Sequence, residues 1–203
     1  MQEWKIAGIL MAAGASSRMD CNKLFLEVDG QPLYRHMLQL LMRLPLTQRI
    51  VVTRYREIEQ EAQEMGFCTV WNERATEGIS TTVIAGTKAA EQVDGLMYFV
   101  CDQPSMDEAT CLHLMRHFDG KHVVIPTFGE RAGNPCIFPF FMREALLQLQ
   151  GEEGGRTVWK QTPGCQCFVP VQDENTLLDI DTHNDYLQFL NQRNPEGEQE
   201  AKQ

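Results

Sequence analysis

The stretch Leu10-Met11-Ala12-Ala13-Gly14-Ala15-Ser16-Ser17-Arg18-Met19, with Lys23 close behind, is the part of the chain best equipped for chemistry. Small side chains let a backbone approach a ligand, and successive N–H groups in a turn form a concave anion site. Ser16 and Ser17 add hydroxyl donors, Arg18 a planar fork and Lys23 a point charge, all suited to phosphate oxygens. The spacing G-x-x-x-x-G-K-[ST] is absent, so this is not a Walker loop. Only one of the three glycines of the dinucleotide fingerprint is present, which excludes an NAD-type dehydrogenase. The residues alone do not separate a phosphate loop from an ordinary strand-to-helix connection.

Two acidic segments stand apart from this loop. In Phe99-Val100-Cys101-Asp102-Gln103-Pro104 a carboxylate follows an apolar run, and Pro104 restricts Gln103 to extended backbone. Asp102 there can serve Mg²⁺, which takes one or two protein carboxylates and fills its shell with phosphates and water, or it can cap the next helix. In Asp179-Ile180-Asp181-Thr182-His183-Asn184-Asp185, Asp181 completes a metal site with Asp102 if the chain returns to the same sheet edge. Its plainer role is to cap the last helix, with Asp185 in the first turn. His36, His113, His117, His122 and His183 lie outside the two central motifs and are assigned to surface or packing.

Elements must carry these segments to one place. Ile6–Met11 is an unbroken apolar run, the mark of a strand buried on both faces of a parallel sheet. After Leu24–Val28 and an Asp29-Gly30 turn, helical spacing of Leu33, Met37, Leu40, Leu41 and Leu44 sets a helix over 33–43. Strands are expected at 49–53, 67–71, 95–100 and 121–126, with helices at 57–65, 80–91 (Ser80 as its N-cap) and 107–118. Five strands alternating with helices imply an α/β protein: one three-layer α/β/α nucleotide-binding domain over 1–191 with a mostly parallel sheet. Beyond it, 129–139 reads as a hairpin or antiparallel return, 140–149 and 157–161 as helices, 166–171 as a strand and 184–190 as a helix. Residues 192–203 are expected to form a disordered tail.

Composition narrows the partners. The 203 residues carry a net charge of −10, a field that repels polyanions and argues against nucleic acid. A phosphate-bearing substrate must then be held by local N–H groups, a few placed cations and a metal. No apolar window reaches a membrane span, and the N-terminus lacks the features of a signal peptide. Seven scattered cysteines without a CxxC pair suit reduced thiols in the cytoplasm. Cys165 and Cys167, expected on one face of a strand, are assigned a structural role.

Taken in order, the motifs resemble those of the nucleotidyltransferases related to molybdenum cofactor guanylyl- and cytidylyltransferases. Leu10 to Met19 with Lys23 is similar to the family's LAAGxSxRM…K signature, and Lys23–Leu26 with Gly30–Leu33 to KLLL and GxPL. Glu77–Ser80 is similar to EGMS, Asp102–Pro104 to GDQP and Gly133–Pro135 to GNP. Gly151–Arg156 is similar to GDxGAR and Asp179–Thr182 to DIDT. The resemblance runs from about Ile6 to Tyr186. Ala12-Ala13-Gly14 resembles the cytidylyl branch, including its paralogues linked to molybdenum hydroxylase maturation, where the guanylyl branch reads LAGG.

The resemblance implies CTP as donor, the molybdopterin form of the molybdenum cofactor as acceptor, Mg²⁺ as cofactor and a molybdenum hydroxylase as further partner. It places Arg18, Lys23 and Asp102 in catalysis and Asp102 with Asp181 on the metal. Met11, Ala12, Ala13, Gly14 and Ser16, with Gly78 and Ser80 beside base or ribose, line the nucleotide; Gln103, Pro104, Asn134 and Arg156 border the acceptor. The implied reaction is in-line attack of an acceptor phosphate on the α-phosphorus, with release of pyrophosphate. Asp20, Cys101 and His183-Asn184 depart from the family pattern without removing a cation or ligand. A sugar- or alditol-phosphate nucleotidyltransferase, and a non-catalytic factor delivering cofactor to a hydroxylase, stay open as alternatives.

Overall fold

A computed structural model describes residues 3–14 and 22–193. Strand β1 (Ile6–Ala12) sits inside the sheet because its side chains are apolar on both faces: Ile6 and Leu10 enter one core, Ala7 and Ile9 the other. It pairs in parallel with β4 (Gln48–Thr53), from Ala7 opposite Gln48 to Ala12 opposite Thr53. On its other side it pairs in parallel with β6 (Gly95–Val100). Between these come a 3₁₀ turn (Lys23–Phe25), the hairpin β2 (Glu27–Val28) and β3 (Gln31–Pro32), α1 (Leu33–Arg43), α2 (Arg56–Glu64), β5 (Cys68–Trp71) and α3 (Ile79–Ala89).

After β6 follow α4 (Glu108–Arg116), β7 (Val123–Phe128), β8 (Arg131–Ala132), β9 (Cys136–Pro139), α5 (Arg143–Leu147) and α6 (Gly155–Lys160). The chain then runs through β10 (Gln166–Pro170) to α7 (His183–Arg193). The main sheet has the order β10-β7-β9-β6-β1-β4-β5, with β8 paired to β7. β9 runs antiparallel between β6 and β7, the return expected for 129–139. One core face receives Leu38 and Leu41 of α1, Ile58 of α2 and Leu114 of α4. The other receives Val83 of α3, Leu146 of α5 and Val158 of α6, which makes three layers. The α/β class with a mostly parallel sheet is therefore what the strand–helix alternation implies.

Four local expectations need correction. Ser80 does not cap α3: Gly78, at φ 121°, is the N-cap, and Ser80 is buried one residue inside the helix. Its amide donates to the Gly151 carbonyl at 3.1 Å. Helix 140–149 is split into a 3₁₀ turn at Phe140–Met142 and the short α5. Cys165 lies ahead of β10 and packs on the α5 side of the sheet, whereas Cys167 packs on the α1 side. Finally α7 continues to Arg193, inside the stretch expected to be a tail. Arg193 pairs with Asp29 at 3.1 Å and lies over the Phe189 ring, and a cation suits that end of a helix. Residues 194–203 lie outside the described residues.

Candidate active site

From β1 the chain goes to β4 and β5 on one side, and β6 then lies on the other side of β1. The carboxyl ends of β1 and β6 thus flank the point where strand order reverses, the crevice in which open α/β sheets bind ligands. Met11 to Gly14 and Val100 to Asp102 stand there.

Lys23 is brought to this crevice by the turn that follows. The Asn22 side chain caps it, accepting from the Leu24 amide at 3.2 Å, and buried Leu24 anchors it in the core. Lys23 Nζ then lies 2.6 Å from Asp102 Oδ2 and 3.1 Å from Asp181 Oδ1. The acidic segment near the C-terminal end is tied to β6 by backbone: Ile180 N–H donates to the Asp102 carbonyl at 2.8 Å. Ile180 is buried with Val28 and Leu33, and an extended chain then carries Asp179 and Asp181 on the same side.

Neither carboxylate is spent on a helix cap. For α4 the cap is Asp107, accepting from the Thr110 amide at 2.7 Å. For α7 Thr182 and Asp185 cap reciprocally: Asp185 N–H donates to Thr182 Oγ1 at 3.1 Å and Asp185 Oδ2 accepts from Thr182 N–H at 2.7 Å. Asp181 is left to face Lys23.

The electrostatics follow from this crowding. Burial works against the Lys23 ammonium, but the charge and hydrogen bond of Asp102, then those of Asp181, outweigh it and hold the pKa above its ordinary value. Asp179 is pushed up to about 6, chiefly by burial and then by the charge of Asp102. Gln103, buried, donates to Asp179 Oδ1 at 2.8 Å, and Arg131 stands 3.7 Å from Oδ2. Burial and the Asp102 carboxylate raise Cys101 far above the normal thiol range, so the residue in place of the family's glycine is a protonated thiol and no nucleophile.

Two cavities meet at Met11. The larger, about 400 Å³, runs from Lys23 and Asp102 past Gly14 to Gly78, Ile79 and Glu152. Leu24 belongs to the α1 core and Gly78 caps α3 on the opposite face, so this cavity crosses the carboxyl edge of the sheet. The smaller, about 170 Å³, is walled by Tyr98, Phe138 and Trp159, with Asn134, Arg156 and Asp179 as its polar groups.

The residues singled out in the sequence distribute between these spaces. Met11, Ala13, Gly14, Lys23, Gly78 and Asp102 line the larger cavity, and Asn134 and Arg156 the smaller. Ser80 faces a third cavity with Arg74 and Glu77 instead, because it lies on the face of α3 turned away from Ile79 and Thr82, which line the larger cavity. Ala12 is wholly buried, its carbonyl accepting from Thr53 Oγ1 at 2.9 Å, and Gln103 reaches the smaller cavity only through Asp179. Pro104 lines neither cavity. Ser16, Arg18 and the departure Asp20 lie outside the described residues. Asp179, Arg131 and Glu152 were not singled out as ligand contacts. The first stood in view in the DIDT-like segment, where alternation with Ile180 places it beside Asp181.

The donor set suits a divalent ion of oxygen preference. Asp102 Oδ1 is buried without a hydrogen-bond partner among the described residues, and Asp181 is half exposed beside it. Among the described residues no three His, Cys, Asp or Glu side chains form a protein-only cage. Two carboxylates at the mouth of a substrate cavity match Mg²⁺, which takes the rest of its shell from phosphates and water.

Comparison with known proteins places this geometry. The MobA-like NTP transferase domain matches residues 8–166 of the chain. The chain belongs to that family. Its type of activity is nucleotidyl transfer. The purine catabolism protein PucB of Bacillus subtilis is 25% identical, over 89% of this chain and 94% of PucB. The nicotine blue oxidoreductase of Paenarthrobacter nicotinovorans is 22% identical, over 91% and 96%. Among solved structures, a nucleotidyl transferase from Methanothermobacter (Mth528) shares the fold with a TM-score of 0.81 at 24% identity, covering 93% of this chain and 97% of that one. The manganese complex of Rv0371C from Mycobacterium tuberculosis shares it with a TM-score of 0.71 at 20% identity, covering 92% and 98%.

Proposed function

We propose that this member of the MobA-like family transfers CMP from CTP to the phosphate of the molybdopterin form of the molybdenum cofactor, releasing pyrophosphate. The observation that carries the transfer is Lys23 bridging Asp102 and Asp181 at the mouth of a cavity that adjoins a second one. In this reading the 400 Å³ cavity takes the nucleotide, with its phosphates toward Lys23 and its base toward Gly78 and Glu152. The 170 Å³ cavity takes the acceptor. Its aromatic walls fit a flat ring system, and Asn134, Arg156 and Asp179 offer it hydrogen bonds. The choice of CTP rests on the resemblance of Ala12-Ala13-Gly14 to the cytidylyl branch.

Asp102 and Asp181 would hold Mg²⁺, with the buried Oδ1 of Asp102, unpartnered among the described residues, supplying one ligand. When bound, that ion neutralises triphosphate charge and polarises the α-phosphate. The rest of the chemistry belongs to the chain. Lys23, with Arg18, stabilises charge on the departing pyrophosphate, and the walls at Met11 and Gly14 hold the α-phosphorus in line with the acceptor. The acceptor phosphate is already an anion at neutral pH, so no strong general base is required. Placement of ligand groups dominates, as in phosphoryl transfer generally.

The Rv0371C complex with manganese supports a divalent ion on this fold. No helix among the described residues is long and apolar enough to cross a membrane, and we place the enzyme in the cytoplasm, serving a molybdenum hydroxylase. The decisive assay is pyrophosphate release with each nucleoside triphosphate, with and without molybdenum cofactor. Release that requires CTP and the cofactor together supports the proposal. Release with a sugar or alditol phosphate instead, or binding of both ligands without turnover, overturns it.

A further inference from the structure

The backbone ladder between β1 and β4 ends at Ala12 opposite Thr53. Beyond that pair two side chains of the β4 end take over. Thr53 Oγ1 donates to the Ala12 carbonyl at 2.9 Å and accepts from the Tyr55 amide at 3.1 Å. The Tyr55 hydroxyl, two residues on, donates to the Gly14 carbonyl at 2.8 Å. The register that bonded strand to strand is thus extended by side chains to the last residue of the described nucleotide wall.

The same tyrosine touches the other side of the crevice. Its ring meets the Phe25 ring edge-on, with centroids 5.6 Å apart and planes at 84°. Phe25 closes the 3₁₀ turn that begins with Lys23 and also packs edge-on against Tyr34 at 5.5 Å. Tyr34 is anchored in turn, its hydroxyl donating to Glu61 at 2.8 Å. Tyr55 therefore connects Gly14 by its hydroxyl and the Lys23 turn by its ring, and lines neither of the two cavities itself.

We infer that Tyr55 is a positioning residue for nucleotide binding: it sets the distance between the Gly14 wall and the Lys23 ammonium without touching the ligand. The inference rests on reading the 400 Å³ cavity as the nucleotide site. Its reason is geometric. Gly14 carries no side chain to fix its own peptide, and Lys23 sits on a turn of three residues, so each needs an outside reference. One rigid ring with a polar tip supplies both, with fewer rotatable bonds than any aliphatic residue of similar reach.

The test separates the two functions of the side chain. Tyr55→Phe removes only the bond to Gly14, and Tyr55→Leu removes the ring contact as well. Equilibrium binding of Mg²⁺-CTP is measured on the full-length protein, beside thermal melting without nucleotide. Tyr55→Phe is expected to weaken nucleotide binding about five-fold, the effect of one neutral hydrogen bond, and Tyr55→Leu further. KM for nucleotide rises accordingly, while KM for the acceptor stays at the wild-type value. A Tyr55→Phe protein that binds the nucleotide as tightly as the wild type overturns the inference alone. So does a variant whose melting point falls while its affinity at a temperature well below melting is unchanged. A wild type that binds no nucleoside triphosphate overturns the reading of the cavity, and this inference with it.

Discussion

At the scale of single residues, the site turns on an ammonium held between two carboxylates. Lys23, Asp102 and Asp181 come from the turn after β1, the end of β6 and the segment before α7. Lys23→Ala and Asp102→Ala are each expected to lower kcat by ~10²–10³ while circular dichroism and melting report a folded protein. Near-normal turnover in either purified variant removes that residue from catalysis.

A second prediction concerns Asp179, whose carboxyl stands at about 6 where its ordinary value is 3.8. A raised carboxyl pKa means the folded protein holds the proton more tightly than the unfolded chain. Ionisation therefore costs the folded state stability as pH climbs from about 4 through 6, and the loss levels off above that. Asp179→Asn, neutral throughout, is expected to melt higher relative to wild type at pH 7.5 than at pH 4. The side chain is 38% exposed, so solvent softens the effect. A difference that does not change across that window contradicts the shift.

Lys23, Asp102 and Asp181 stood in view as charged residues of suitable type, but helix capping served the two aspartates equally well, and it was the family resemblance that joined the three. Asp179 and Arg131 were not singled out, since their significance lies in contacts between residues far apart in sequence, Arg131 also donating to the Leu177 carbonyl.

At the scale of elements, the start of α3 is the most constrained junction. Gly78 has φ 121° and ψ 165°, a region open essentially to glycine alone. A Cβ placed there would stand 2.1 Å from the Gly151 carbonyl oxygen. The Ser80 amide bonds that same carbonyl, and the next residue, Glu152, walls the 400 Å³ cavity. Gly78→Ala is expected to cost about 1–3 kcal/mol from backbone strain and to displace this loop. Chemical denaturation and CTP titration check it, and an alanine variant with wild-type stability and affinity refutes it.

This junction also shows where the sequence misleads. Serine is a good helix cap, so Ser80 looked like one. The backbone instead ends its extended run at Gly78, whose contact with Gly151 cannot be read from local spacing. By contrast α1 was legible to the residue, because its apolar positions repeat at helical spacing and bury Leu33, Met37, Leu40 and Leu41. The two cysteines 165 and 167 went to opposite sides since only Cys167 lies within β10, and alternation applies only inside a strand.

At the scale of the whole molecule, a chain of net charge −10 gathers its ligand site from distant stretches. The alternation of strands and helices disclosed the parallel sheet early, whereas the place of β9 between β6 and β7 depends on pairing over long range and was legible only as some antiparallel return. Metal removal gives a test at this scale. The described residues form no protein-only cage, so chelation by EDTA is expected to stop pyrophosphate release while leaving the melting point of the nucleotide-free protein in place. Added Mg²⁺ restores turnover. A large loss of thermal stability on chelation points instead to a structural ion.

The hydrogen bond from Ile180 to the Asp102 carbonyl joins stretches of the chain that supply different things. Every strand of the main sheet is complete by Pro170, ahead of Asp181. Domains fold as units, so the stretch that carries Asp181 docks together with the sheet it closes on. The strands that frame the crevice and the carboxylate that faces Lys23 are nonetheless encoded apart, and the backbone bond from Ile180 is where the two stretches meet beside β6.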